Sequence, residues 1–297
     1  MTITQALDVS NRTVSFRDAE VLLAAVLKCS RAHLHTYPEQ TLTSAEETQY
    51  ESFLTRREQN EPVAHITGNK EFYGREFKID HRALIPRPET EGIVTQAVEW
   101  ISDHFKTHAH ESNLPCPVQV AELGTGCGSI AISVALELAE RAIPATIVAS
   151  EISNEALELA KENWETLSRG VTLGNVVLKL VQADMFDAPE LTKRPFDIIL
   201  ANLPYVEDTW KMNPAAQQDV VFYEPDIALF GGSDGLDLYR KFFAESPTHL
   251  EKDGAIIIEY GETQTPLILP IISEVFPKKT VTVHKDYAGL DRVISIV

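Results

Sequence analysis

Asn202-Leu203-Pro204-Tyr205 closes the apolar run Phe196-Asp197-Ile198-Ile199-Leu200-Ala201. A strand ending there sets an amide, two backbone carbonyls and an aromatic face at its C-terminal edge. That is equipment for holding a planar NH2 group whose lone pair is delocalised. A side-chain amide and a main-chain carbonyl can accept both N–H protons of such a group. They thereby aim its nitrogen at an electrophile and offset the positive charge that develops on it. Asn202 Oδ1 and the Leu203 carbonyl are the candidates, Pro204 stiffens the loop, and Tyr205 packs on the planar group. The bland alternative is a loop that merely ends a strand. No His, Cys or carboxylate flanks Asn202 in the sequence. Direct attack by the nitrogen is therefore expected, with the proton leaving to water, no covalent enzyme intermediate and no metal.

A second constellation lies earlier. Val118-Gln119-Val120-Ala121-Glu122-Leu123 leads into Gly124-Thr125-Gly126-Cys127-Gly128 and an apolar helical stretch from Ser129. Glycines at such a turn let the chain double back and let a ligand approach without a Cβ in the way, and the helix N-terminus offers unpaired N–H groups. A tight turn with no ligand is the alternative. The spacing departs from the dinucleotide fingerprint, since the third glycine comes one residue early and Ser129 follows. The next strand ends in Glu151, which either accepts from both hydroxyls of a ribose or decorates the start of the following helix. The third ends in Asp184-Met185, placed to accept from an adenine amine and to flank the ring, or else simply solvated loop.

These residues need a scaffold that brings strand ends together. Strand patterns fall at 117–123, 145–150, 176–182, 196–201, 254–260, 280–284 and 292–297, and helical patterns at 90–105, 129–142, 154–168, 236–249 and 264–275. Such alternation predicts an α/β, Rossmann-like seven-stranded domain with a mainly parallel sheet and an antiparallel final pair. Ligands in such sheets bind beyond the strands' C-terminal ends, at the switch point. Residues 1–63 read as a small helical bundle, with a capping box at Ser44 and Glu47 and a stop at Glu61-Pro62. Residues 64–84 read as a hairpin linker from His65-Ile66-Thr67-Gly68 to Asp80, turning at Tyr73-Gly74-Arg75. The catalytic domain then spans 85–297, with a surface loop near 106–116 and Thr90 as a helix cap.

The 297 residues are 44% hydrophobic and 24% charged, an ordinary globular composition. No run of about 18 apolar residues suggests a membrane span, and the N-terminus lacks the pattern of a signal peptide. Three cysteines without ligand spacing argue against a disulfide framework or a metal site, and fit a reducing cytoplasm. Asp and Glu outnumber Lys and Arg by 44 to 26, a net charge of −18. That disfavours stable nucleic-acid binding, which draws on clustered cations, and favours a small molecule or a locally basic protein.

The series of glycine turn, Glu151 and Asp184 on one sheet edge resembles the S-adenosylmethionine-dependent methyltransferase superfamily. There, those positions hold the methionine end, ribose and adenine in turn. Nearly the whole chain resembles the release-factor glutamine N5-methyltransferase family, through Leu84-Ile85-Pro86-Arg87-Pro88-Glu89-Thr90-Glu91, Gly124 to Gly128 and Asn202 to Tyr205. Supporting stretches are Glu224-Pro225, Ala228 to Asp237, Ile258-Glu259-Tyr260-Gly261 and Lys285 to Arg292. The resemblance implies S-adenosyl-L-methionine as methyl donor. It implies a peptide chain release factor as partner, with the glutamine of its Gly-Gly-Gln loop as acceptor, and Arg87 and Glu89 near the substrate entrance. A cytoplasmic monomer is expected. The family usually has proline at position 203; leucine keeps the carbonyl but loses one fixed φ and some rigidity. By itself the Asn202–Tyr205 motif suits an adenine amine equally well, so adenine-N6 methylation of rRNA or DNA is the alternative.

Overall fold

The computed structural model describes residues 1–9, 12–108, 116–212 and 223–297. Its first part is helical: α1 (Ile3–Ala6), α2 (Phe16–Leu27), α3 (Arg31–Thr36), α4 (Ser44–Glu58) and α5 (Val63–Thr67). These helices share a core of their own that includes Ile3, Leu22, Leu23, Leu34, Tyr50, Leu54 and Ile66. The capping box on α4 is Thr43 with Glu46, one residue ahead of the expected pair. Thr43 has the extended backbone a cap needs, and its N–H donates to Glu46 Oε2 at 2.7 Å. Pro62 does not stop α4, which ends at Glu58; it opens α5, whose end is marked by Gly68 at φ +77°.

The hairpin is therefore shorter than the sequence suggested. It pairs β1 (Asn69–Phe72) with β2 (Arg75–Lys78), and its turn is Tyr73-Gly74 alone, both at positive φ. Arg75 is already in the strand, opposite Phe72. The hairpin is fastened to the larger domain. Asn163, 1% exposed, accepts from Lys78 N–H at 2.8 Å and donates to the Lys78 and Cys127 carbonyls. Phe72 and Phe77 join the core of that domain.

A 3-10 turn at Pro88–Thr90 leads into α6 (Glu91–His108). There follow β3 (Val118–Leu123), α7 (Ser129–Glu140), β4 (Ala145–Glu151), α8 (Asn154–Leu167), β5 (Val176–Gln182), α9 (Pro189–Thr192) and β6 (Phe196–Ala201). The chain closes with α10 (Asp226–Leu229), α11 (Asp237–Glu245), β7 (Leu250–Glu259), α12 (Thr265–Val275), β8 (Val281–Lys285) and β9 (Asp291–Ile296). The helix expected over 236–249 stops at Glu245, because Pro247 sits in a 3-10 turn (Ser246–Thr248) that precedes β7. β7 starts earlier than expected, with a register irregularity opposite Phe196 and Ile198. Part of the loop expected at 106–116 falls outside the described residues, and α6 continues through His108.

The seven strands lie in the order β5-β4-β3-β6-β7-β9-β8, parallel except for β9. Residues of α6, α7 and α8 pack on one face, and Tyr239, Phe242 and Phe243 of α11 with Ile268 and Ile272 of α12 on the other. The strand order reverses between β3 and β6, whose ends are in register, Leu123 beside Ala201. β4 ends alongside, with Ser150 opposite Leu123. This is where an open parallel sheet leaves a crevice for ligands. Among the described residues no helix is long and apolar enough to cross a membrane.

Candidate active site

Two hollows flank the ends of β3 and β6. The smaller, of about 150 Å³, is lined by Gly124, Gly126, Glu151, Asp184, Met185 and the segment Asn202–Pro204, among others. The larger, of about 660 Å³, is lined by Arg87, Glu89, Asn202, Leu203, Pro204, Tyr205, Trp210, Glu259 and Arg292, among others. They share Leu84, Asn202, Leu203, Pro204 and Ala228. The motif that ends β6 is thus the common wall between them.

The smaller hollow owes its shape to the glycine turn. A Cβ built on Gly126 meets nothing within 4 Å, so a substituent there would project into open space. Gly128 is different: its Cβ would come within 2.7 Å of Ile132 Cδ1 and 3.2 Å of Ala160 Cβ, so this glycine serves helix packing. Thr125, Cys127 and Gly128 do not line the hollow, although the sequence grouped them with Gly124 and Gly126. Thr125 Oγ1 turns inward and donates to Glu122 at 2.7 Å. Cys127 is buried, which pushes its thiol up to about 12 and keeps it un-ionised.

The turn's amides are largely spent within the protein. Gly124 and Thr125 donate to the Ser150 carbonyl, both at 2.9 Å, and Gly126 N–H donates to Glu151 Oε2 at 2.8 Å. Glu122, 1% exposed, accepts from Ala131 N–H at 3.0 Å, occupying one of the donors expected to be free at the start of α7. Burial pushes its carboxyl up to about 7, against the two hydrogen bonds that favour the charged form. Glu151 also accepts from Ser153 N–H at 2.9 Å, yet a carboxylate has about four lone-pair sites, so acceptors remain. Asp184 is exposed and paired with Lys241 at 2.7 Å. Met185 sits at φ +53° with its carbonyl held by Ser150 Oγ, which directs its side chain into the hollow wall.

On the larger side, Asn202 Nδ2 donates to Thr90 Oγ1 at 3.2 Å. Thr90 is 3% exposed; its side chain holds Asn202, where a helix cap was expected. Tyr205 donates its O–H to Glu259 Oε1 at 2.9 Å. Burial first, and the Glu259 charge after it, hold that phenol well above its usual pKa, so it stays a donor. Glu259 is itself raised by burial, against the Thr90 and Tyr205 hydroxyls and Arg292. Arg87 forms an ion pair with the buried Glu224, which also accepts from Ile85 N–H at 3.1 Å. The pair pins the segment before α6 to the wall of the cleft. Glu89 is exposed along that wall.

Leu203 carries a bond that the sequence did not announce. Its N–H donates to Tyr239 O–H at 3.1 Å, and that hydroxyl donates onward to the Glu259 carbonyl. A proline could not make this bond. The stiffness forgone at φ is replaced by a hydrogen bond to a buried tyrosine of α11. Sequence reasoning missed Thr90 in this role, together with Glu122, Glu224 and Glu259. The available signal was a charged residue inside or at the end of an apolar strand, as in Val-Ala-Glu-Leu and Ile-Ile-Glu-Tyr.

A family model described as the PrmC N-terminal domain matches residues 2–68, and one described as a methyltransferase domain matches residues 117–291. A release factor glutamine methyltransferase of Bacillus anthracis is 32% identical over 277 residues, covering 93% of this chain and 90% of the relative. Another, of Koribacter versatilis, is 32% identical over 301 residues, covering 99% and 98%. The chain belongs to the release factor glutamine methyltransferase family. A third member, of Lactococcus lactis subsp. lactis, is 37% identical over 243 residues, covering 81% of this chain and 79% of its own. Among solved structures, the hMettl16 catalytic domain in complex with MAT2A 3'UTR hairpin 1 superposes with a TM-score of 0.54. Its identity is 14%, over 89% of this chain and 84% of that one. This likeness is one of fold.

Proposed function

We infer that this chain methylates the side-chain amide nitrogen, N5, of the glutamine in the Gly-Gly-Gln loop of a peptide chain release factor, with S-adenosyl-L-methionine as donor. The observation that carries the reading is the shared wall. Asn202, Leu203 and Pro204 border both the glycine-turn hollow and the larger cleft, so a donor and an acceptor would meet across one motif.

The donor supplies an electrophilic methyl group on a sulfonium. The open space at Gly126 and the remaining acceptors on Glu151 suit its amino-acid and ribose parts. Asp184 and Met185 suit the adenine, with Asp184 shared with Lys241. A hollow of about 150 Å³ is small for such a ligand, which would extend along the shared wall toward the cleft.

Asn202 Oδ1 and the Leu203 carbonyl receive the two N–H protons of the glutamine amide. That turns its nitrogen toward the methyl group and stabilises the positive charge arising on it. Tyr205 packs on the amide plane, and Arg87 and Glu89 border the approach. Attack by the amide nitrogen forms the N–C bond as the sulfonium C–S bond breaks, and the extra proton leaves to water. The net charge of −18 suits a protein partner better than a nucleic acid. Residues 1–63, whose core also takes in Ile66 of α5, serve as a substrate-contacting unit joined through 64–84 to the catalytic domain 85–297. The work is done in the cytoplasm by a monomer.

The test is mass spectrometry of the Gly-Gly-Gln peptide from a release factor incubated with enzyme and donor, with rRNA as a parallel acceptor. The glutamine should gain one methyl group and the RNA none. Methylated adenine with an unmodified glutamine would reverse the assignment.

A further inference from the structure

Each of the two motif side chains that face the cleft is held from behind by a group on another element. Asn202 Nδ2 donates to Thr90 Oγ1 at 3.2 Å, and Tyr205 O–H donates to Glu259 Oε1 at 2.9 Å. Thr90 ends the 3-10 turn before α6, and Glu259 ends β7. Both are buried, at 3% and 1% exposure. Glu259 Oε2 is buried too and has no hydrogen-bond partner of ordinary geometry among the described residues. Burial raises that carboxyl's pKa, and the Thr90 hydroxyl works against the rise by favouring the charged form.

The two ends of an asparagine amide are alike in size and opposite in hydrogen-bonding character. To accept from an incoming NH2, Asn202 must present Oδ1 to the cleft and turn Nδ2 inward. A hydroxyl alone cannot enforce that choice, because it either donates or accepts. A hydroxyl whose proton is committed to a carboxylate can only accept. The chain then has one direction. With the Thr90 proton directed at the unpartnered Glu259 Oε2, Thr90 Oγ1 accepts from Asn202 Nδ2 and Asn202 Oδ1 is left for the substrate. The flipped amide would set Oδ1 against the Thr90 lone pairs and aim a donor at another donor.

We propose that Thr90 and Glu259 are positioning residues for methyl transfer, fixing together which end of the Asn202 amide faces the acceptor. Glu259 holds the Tyr205 ring by the same carboxylate. The proposal rests on the reading of Asn202 as the group that receives the glutamine NH2.

Three variants of the full chain test it: Thr90→Val, which is nearly isosteric and lacks the hydroxyl, Thr90→Ser, which restores it, and Glu259→Gln. Donor affinity is read by calorimetry, and kcat and KM by methylation of a release factor. Thr90→Val is expected to lower kcat by about 10²-fold, the scale of a small misplacement of reacting groups, with KM and donor affinity nearly unchanged. Thr90→Ser recovers most of the loss. Glu259→Gln also lowers kcat, because its amide can donate to Thr90 Oγ1 and release the hydroxyl proton toward Asn202. Wild-type kcat in Thr90→Val overturns the proposal. So does equal loss in Thr90→Ser, or a parallel loss of donor affinity, since either marks a packing role. If Thr90→Val does not fold, Glu259→Gln decides, and unchanged kcat there overturns the proposal. Absence of methylation by the wild-type enzyme would sink the substrate reading instead.

Discussion

At the scale of single residues, the proposed chemistry rests on an amide that must be aimed. Replacing Asn202 by Ala removes the acceptor and is expected to lower transfer by about 10²–10³-fold, the cost of losing one preorganised hydrogen bond in other enzymes. Donor affinity measured by calorimetry should be largely preserved. Retention of full methylation would remove Asn202 from the role given to it. Tyr205→Phe tests the second anchor. It leaves Glu259 Oε1 buried without its donor, and an unsatisfied buried acceptor costs about 1–3 kcal/mol. Urea denaturation should show that loss, with transfer reduced as the ring loosens. Asn202 and Tyr205 are legible in the sequence because an amide and a phenol set around a proline directly after an apolar run are unusual. Thr90 and Glu259 are not legible in these roles. They lie 112 residues before Asn202 and 54 after Tyr205, and only folding makes them neighbours.

At the scale of elements, the turn between β3 and α7 separates two uses of glycine that sequence alone runs together. Gly126→Ala places a methyl group in the open space of the smaller hollow, proposed to take the donor, at φ +56°, and Gly128→Ala places one against Ile132 and Ala160 at φ +87°. A left-handed backbone costs a non-glycine residue about 1–2 kcal/mol at either site, and the second adds a steric clash. Gly126→Ala should therefore weaken donor binding by about tenfold or more while losing only that strain energy in stability. Gly128→Ala should show the larger drop in melting temperature. The reverse order in calorimetry and thermal melts would show that the hollow is not the donor site. The sequence placed this turn correctly on the strand–helix pattern. It did not show that Thr125 faces inward, because Glu122, the partner that draws it there, reads as one polar position in an apolar strand.

At the scale of the molecule, that same Glu122 links the turn to global stability. Its carboxyl is pushed up to about 7 in the folded protein, whereas an unfolded chain would titrate near 4.3. Between those values the folded state binds more protons than the unfolded one, so stability falls as pH rises through that window and levels off above about 7. Glu122→Gln removes the contribution. The melting temperature of the wild type relative to that variant should decline from pH 5 to pH 8, and a constant difference would show that the carboxyl is not raised. The sequence by itself determined the α/β class, the seven strands, the antiparallel final pair, the glycine turn and the Asn-Leu-Pro-Tyr motif. Each is written in local periodicity, or in residue types that tolerate only certain backbone shapes. Tertiary structure alone decided the strand order that brings β3 beside β6. It also decided the Arg87–Glu224 pair that fastens the segment before α6. The last such decision is the bond from Leu203 N–H to Tyr239, which ties the middle of the motif to α11. Those are contacts between distant segments, and burial, by making an unpaired polar group costly, selects partners that local sequence does not contain.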